Sequence, residues 1–237
     1  VLIDSSPEFT LPVLRSLPKD WPLAYREVPK EGVFAAQNAG LAGAKGDLVW
    51  FLNGGDWLLN YSSLRDILNC FDNDRSLDLT FSAADLYRND GFMYTSTPRP
   101  MFIDNLIGMN NLCHQALVYR HKSIQRIGGF NGDPFWIAAD FEHHLRCHRA
   151  GLKSLAVPHR LVGYDMSGQS TEWRRALREF RAIGHRHKAA YSHGQYQRHR
   201  LGILYHYIRI GAIKAIRRFP VAAALEPIWF WWNRRKS

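Results

Sequence analysis

"LVWFLNGGDW", residues 48–57, is the stretch whose reading decides the fold. Its apolar run from Leu48 to Leu52 is long enough for a strand buried on both faces and too short for a helix. It leaves at once into Asn53-Gly54-Gly55-Asp56, and a polar, glycine-rich exit at the C-terminal end of a strand is where open α/β sheets hold ligands. Gly54 and Gly55 would let the main chain approach a ligand closely, Asp56 offers a carboxylate, and Trp57 is expected to pack the turn back on the sheet. A tight turn with Asp56 as a helix cap is the purely structural alternative.

Working outward, residues 1–4 read as an apolar strand ending in Asp4. A short helix is expected over 10–17 with Pro12 in its first turn, and a strand over 23–28. Val33, Phe34, Gln37 and Leu41 have helical spacing, which predicts a helix over 33–44 stopped by Lys45-Gly46. This alternation of strand and helix predicts a parallel sheet with crossovers. Beyond the exit, a helix is expected over 62–71, capped by Ser62 or Ser63, then strands over 77–83 and 91–95 about a turn at 88–91. A strand over 116–119, a helix over 122–127 ended by Gly128-Gly129, a helix over 138–150 opening with Asp140, and strands over 155–157 and 161–164 follow. His143 and His144 are expected at the helix surface, because adjacent positions diverge around a helix.

The 237 residues suit one α/β domain with an appendage. Cys70, Cys113 and Cys147 are an odd number without metal-ligand spacing, which argues against a disulfide framework or a zinc site. Charge is divided unevenly: residues 173–237 carry 15 Lys/Arg against 2 Asp/Glu, a net +13 that outweighs the −3 of residues 1–172. Two regions are therefore expected, a catalytic domain over 1–172 and a basic, aromatic, helical tail over 173–237. The chain opens at Val1 already inside a strand, so sequence N-terminal to it is expected to be missing. No apolar run reaches the roughly 20 residues of a spanning helix. The tail's Trp229-Phe230-Trp231-Trp232 beside Arg234, Arg235 and Lys236 suits a membrane interface instead.

Residues 27–57, "EVPKEGVFAAQNAGLAGAKGDLVWFLNGGDW", resemble the donor-site segment of inverting family 2 glycosyltransferases, in the subset that reads N-x-G-D where others have D-x-D. Further matches follow in order: His114-Gln115, Ile127-Gly128-Gly129-Phe130, Ala139-Asp140-Phe141-Glu142 with Leu145-Arg146, and Gly168-Gln169-Ser170. The resemblance implies a GT-A fold, a Rossmann-like mixed sheet flanked by helices, with the basic helical extension at its C-terminus. It implies transfer of a sugar, with inversion, from a nucleotide-diphosphate donor, UDP being favoured, to a hydroxyl of a glycan or lipid-linked acceptor. By the same resemblance Asp140 is the base. Asp4, Asn38, Asn53, Gly54, Gly55, Asp56, Gly168 and Ser170 contact the donor, His114 and Gln115 the acceptor, and Asp56 holds Mg²⁺ or Mn²⁺. Asn53, Gly55 and Lys30 depart from the commonest family pattern. The membrane-held tail would suit polysaccharide assembly on the cytoplasmic face.

Two readings from other classes stand beside this one. A nucleic-acid-binding protein would use the +13 tail for phosphate contacts and its aromatic residues for stacking. A catalytically inactive relative would keep the fold as a binding module.

Overall fold

In a computed structural model of the chain, residues 1–89, 91–108, 112–166 and 172–216 are described. β1 (Leu2–Asp4) and β2 (Tyr25–Glu27) pair in parallel, with Asp4 opposite Glu27. The helix between them, α1 (Pro7–Ser16), starts earlier than expected, with Pro7 in its first turn where no N–H is needed and Pro12 inside it. α2 (Val33–Gly43) and β3 (Leu48–Trp50) then lead into the exit at Asn53. β3 does not extend a parallel sheet; it joins a larger sheet, antiparallel to β7 (Leu117–Arg120). That sheet runs β3, β7, β5 (Leu79–Arg88), β8 (Ser154–Asp165), β4 (Trp57–Leu58), with β6 (Gly91–Ser96) folded back on the second half of β5. Only β5 and β8 are parallel within it, so the sheet is mixed. Alternating strands and helices reveal the β1–β2 crossover, whereas the partner of β3 arrives much later in the chain.

β8 was expected as two short strands. It is one strand whose register on β5 shifts between Ser82 and Ala84, where Pro158 and His159 are bulged out. A proline cannot donate to the ladder, and the bulge absorbs it. α3 (Tyr61–Asn73) is capped by Asn60, which accepts the Ser62 N–H at 2.8 Å and lies two residues ahead of Ser62, the first of the serines expected there.

The sheet is covered on both faces. On β7, Val118 points to Ile67 and Phe71 of α3, while Leu117 and Tyr119 point the other way, into the main core. That core takes Phe34 and Leu41 from α2, Ile124 from α4 (His121–Ile127) and Phe141 and Leu145 from α5 (Ala139–Arg149). Leu177 and Phe180 of α6 (Trp173–Arg186) and Ile203 of α7 (His193–Ile216) complete it. The expected boundary at residue 173 is thus no break in packing, since α6 and the first turns of α7 close the core of the preceding residues. Because α5 lies between the sheet and α6, both its faces are covered, and His143 and His144 are buried rather than at the surface.

One side chain ties these layers together. Arg146 of α5 donates through Nε to the buried Glu142 carboxylate, through Nη1 to Ile127 O at 2.6 Å, and through Nη2 to Gly129 O. From the opposite side, Asn38 of α2 accepts the Phe130 N–H at 2.7 Å and donates to Phe130 O at 2.8 Å. Gly129 must be glycine, because a Cβ there would overlap the Asn38 amide. Only a guanidinium presents several donors in a fixed fork. Arg146→Lys is expected to cost about 2–4 kcal/mol, read by urea denaturation, because the ammonium cannot reach Glu142 and the carbonyls together. A loss within 0.5 kcal/mol would show that the fork is not what holds the layers.

Candidate functional site

The exit from β3 is a four-residue turn closed by the Asp56 N–H on Asn53 O at 3.1 Å. Gly55 sits at its third position with φ +92°, the left-handed conformation of a type II turn. Gln37 of α2 fixes the first position by donating to Asn53 Oδ1 at 2.8 Å. After the turn, Trp57 lies across Gly163 of β8, where a Cβ would overlap its indole, and meets Tyr87 with ring centroids 4.8 Å apart. The tryptophan does pack the turn back on the sheet, and Asp56 immediately precedes the strand β4 rather than capping a helix.

Asp56 is held from two sides. Its Oδ1 accepts the Asp165 N–H at 2.9 Å and its Oδ2 accepts from Gln115 Nε2 at 3.0 Å. Gln115 is fixed in turn, since its carbonyl accepts Trp50 Nε1 at 2.6 Å and its Oε1 faces Cys113 Sγ at 3.3 Å. Burial pushes the Asp56 carboxyl up to about 6, against these hydrogen bonds, and the neighbouring Asp165 carboxylate adds to the rise. The Asp165 side chain lies over Gly55, 3.5 Å from where a Cβ would stand. Sequence reasoning missed Asp165, although it ends an apolar strand just as Asp4 does.

Asp140 stands in the first turn of α5, with Oδ1 accepting the Phe141 N–H at 2.7 Å. Arg146, further along the same helix, is engaged by Glu142 and the loop carbonyls. Glu142 is a buried structural acid, also 3.0 Å from His187 Nε2 and bonded by Asn131. Asp140 and Asp56 come from distant segments, yet both act on Cys113. Burial chiefly pushes that thiol up to about 12, and the two carboxylates push it further in the same direction. A second residue the sequence did not reveal is Glu179 of α6. It accepts the Ile137 and Ala138 N–H groups at 2.8 and 2.9 Å, is held by Arg175 at 3.0 Å, and so caps the helix that carries Asp140.

The other expected site residues have these surroundings. Asp4 accepts from Ser6 N–H at 2.8 Å and Tyr25 Oη at 3.1 Å, and the first of these chiefly holds its carboxyl below the ordinary range. Asn38, expected against the donor, has its amide on the Phe130 main chain. His114, expected against the acceptor, is buried between Phe51, Phe130 and His144, with neither ring nitrogen reaching solvent. Burial lowers it to about 4, so it is a neutral wall residue, and Gln115 belongs to the Asp56 lip. Gly168 and Ser170 lie outside the described residues.

A divalent cation of the Mg²⁺ or Mn²⁺ type commonly takes one or two protein carboxylates and completes its shell with phosphate oxygens and water. Asp56 and Asp165 meet that requirement: they supply two neighbouring carboxylates, and a carboxyl whose proton affinity is raised by burial and by a second carboxylate is relieved by a cation between them. Among the described residues no cluster of three or more His, Cys, Asp or Glu would enclose a metal by itself.

No family model matches the sequence. The PGL/p-HBAD biosynthesis glycosyltransferases of Mycobacterium tuberculosis and Mycobacterium bovis are 27% identical over 117 residues, covering 49% of this chain and 44% of theirs. The chain thus spans under half the length of these curated relatives. Among solved structures, S. aureus TarS in complex with UDP-GlcNAc superposes with a TM-score of 0.55 at 15% identity over 74% of this chain and 53% of that one. The mannosyltransferase PcManGT from Pyrobaculum calidifontis, in complex with GDP-Man and Mn²⁺, gives 0.59 at 15% over 94% and 67%. The fold is therefore the GT-A fold of glycosyltransferases.

The raised Asp56 carboxyl has a measurable sign. An acid whose folded pKa, about 6, exceeds its ordinary 3.8 contributes stability that is complete below about pH 4 and is lost as pH rises through 6. In chelator, Asp56→Asn is therefore expected to gain on the native protein as pH rises from 4 to 7.5, by roughly 1–2 kcal/mol once solvent screening of the part-exposed carboxyl is allowed for, read by urea denaturation. A stability difference that does not change with pH would show that Asp56 is not destabilised by its surroundings.

Proposed function

We propose that this protein is a glycosyltransferase that moves a sugar from a nucleotide-diphosphate donor, a UDP-sugar by preference, to an acceptor hydroxyl with inversion. The observation that carries this reading is the pairing of Asp56 with Asp165 over the glycine turn at the β3 exit of a GT-A fold. The names of the curated relatives support it, as do the nucleotide sugars in the two solved structures.

Each group has a role that follows from its placement. Asn53, Gly54 and Gly55 form a turn whose main chain is open to a diphosphate, with no side chain on either glycine to keep it away. Asp56 and Asp165 would hold Mg²⁺ or Mn²⁺, which supplies neutralisation of charge on the departing diphosphate. Gln115 orients Asp56. Asp140 takes the proton of the acceptor hydroxyl as its oxygen attacks the anomeric carbon from the face opposite the leaving group. Glu179 and Arg175 keep the first turn of α5 in place, so Asp140 need not be repositioned during the reaction. Gly168 and Ser170 remain proposed donor contacts. The acceptor is a glycan or lipid-linked hydroxyl in cell-surface polysaccharide assembly.

Calorimetric titration of UDP, GDP and dTDP with and without Mn²⁺, followed by turnover of UDP-GlcNAc and GDP-mannose, tests the reading. Metal-dependent nucleotide binding is expected, and Asp56→Ala should abolish it. Asp140→Asn should lower turnover about a hundredfold or more while nucleotide affinity stays within about twofold. Failure of all three nucleotides to bind in the presence of Mn²⁺ would overturn the assignment, and binding without turnover of any donor would favour the inactive module.

A further inference from the structure

α7 is apolar on two opposite sides. One side meets the core: Ile203 is buried, the His199 ring stacks on Phe141 and closes on Gly184, and Gly202 meets the Gly108 backbone, where a Cβ would come within 2.7 Å. The other side carries Leu201, Leu204, Tyr205 and Ile208, which are 64%, 54%, 60% and 63% exposed. At about 100° per residue these four fall within an arc of about 100°, the width of the stripe by which a helix is buried against something else. Single exposed apolar side chains are ordinary on any surface, but four adjoining ones on one face are not.

The charges beside the stripe indicate what it meets. The helix contains Arg198, Arg200, Arg209 and Lys214 and no Asp or Glu. On the same wheel Arg198 and Arg209 lie about 60–80° to one side of Leu201, and Arg200 lies about 100° to the other. The neighbouring helix α6 adds exposed Arg174, Arg178, Arg181 and His185 at spacings of four, three and four, one basic ridge. Among the described residues no helix is long and apolar enough to cross a membrane.

We propose that α7 lies on the surface of an anionic lipid bilayer. Leu201, Leu204, Tyr205 and Ile208 enter the interface, and Arg198 and Arg200, one on each side of the stripe, rest on lipid phosphates. Apolar side chains between basic ones fit this boundary, because the long arginine stems pack beside the apolar residues while their heads stay with the phosphates. A second copy of the chain fits less well, since helices without a single acid would bring arginine against arginine. Nucleic acid would accept the arginines but leaves the aliphatic stripe without a partner. The contact thus falls on α7, upstream of the aromatic stretch 229–232 that the sequence suggested and that lies outside the described residues. The proposal does not rest on the catalytic assignment.

Sedimentation of the full chain with vesicles tests it, comparing phosphatidylcholine alone with phosphatidylcholine containing about one third phosphatidylglycerol. Binding to the anionic vesicles only, weakening as salt is raised, is expected. A Leu204→Glu/Ile208→Glu variant should bind at least about tenfold more weakly. An Arg198→Gln/Arg200→Gln variant should also lose about tenfold. Unchanged circular dichroism and urea midpoints in both would show that the fold is intact. Binding by the Leu204→Glu/Ile208→Glu variant equal to the native chain would place the contact in residues 217–237 and overturn the proposal. So would equal affinity for neutral vesicles, RNA binding without vesicle binding, or a dimer that this variant converts to monomer.

Discussion

The fork of Arg146 is the interaction on which the arrangement depends. It joins a buried carboxylate on its own helix to the main-chain carbonyls of residues 127–129, and Asn38 completes the tie to α2 through Phe130. Removing one member of such a buried group strands a charge or several carbonyls away from water, which is why its parts act together. The helix that Arg146 anchors near one end is capped at the other by Glu179, so Asp140 is carried on a segment fixed at both termini.

The lip at Asp56 follows the opposite rule. The Arg146 tie compensates its buried charge, whereas Asp56 is desolvated beside a second carboxylate and is raised to about 6. The folded chain carries that cost at the end of β3, where the turn, Trp57 and Gln115 all hold the carboxylate in place. A carboxylate that lowers stability and is nonetheless supported from several sides marks a candidate functional group. The buried histidines beside it are neutral wall residues: burial lowers His114 to about 4 and His143 to about 3.

The C-terminal helices serve two surfaces. Toward the core, α6 supplies Glu179, Leu177 and Phe180, and α7 supplies Ile203, so the region that looks like an appendage completes the domain. Away from the core they present basic side chains and the apolar stripe of α7. Charge counted along the chain cannot separate these faces, because arginine stems and helix-facing leucines alternate within the same turns.

Local order settled much before any fold was known. The spacing of Phe34, Gln37 and Leu41 marks α2, the Leu48 run marks β3, and Asn53-Gly54-Gly55-Asp56 marks a turn with a carboxylate, since each depends on residues within one or two turns of backbone. The ordered motifs also pointed to the GT-A fold. Tertiary structure alone decided that β3 runs antiparallel to β7, that Asn38 holds a loop, that His114, His143 and His144 are enclosed, and that Asp165 and Glu179 stand beside Asp56 and Asp140. Those outcomes depend on which distant segments meet and which helix faces they cover. A sequence pattern records the period of a helix or strand, but not the partner that packs against it.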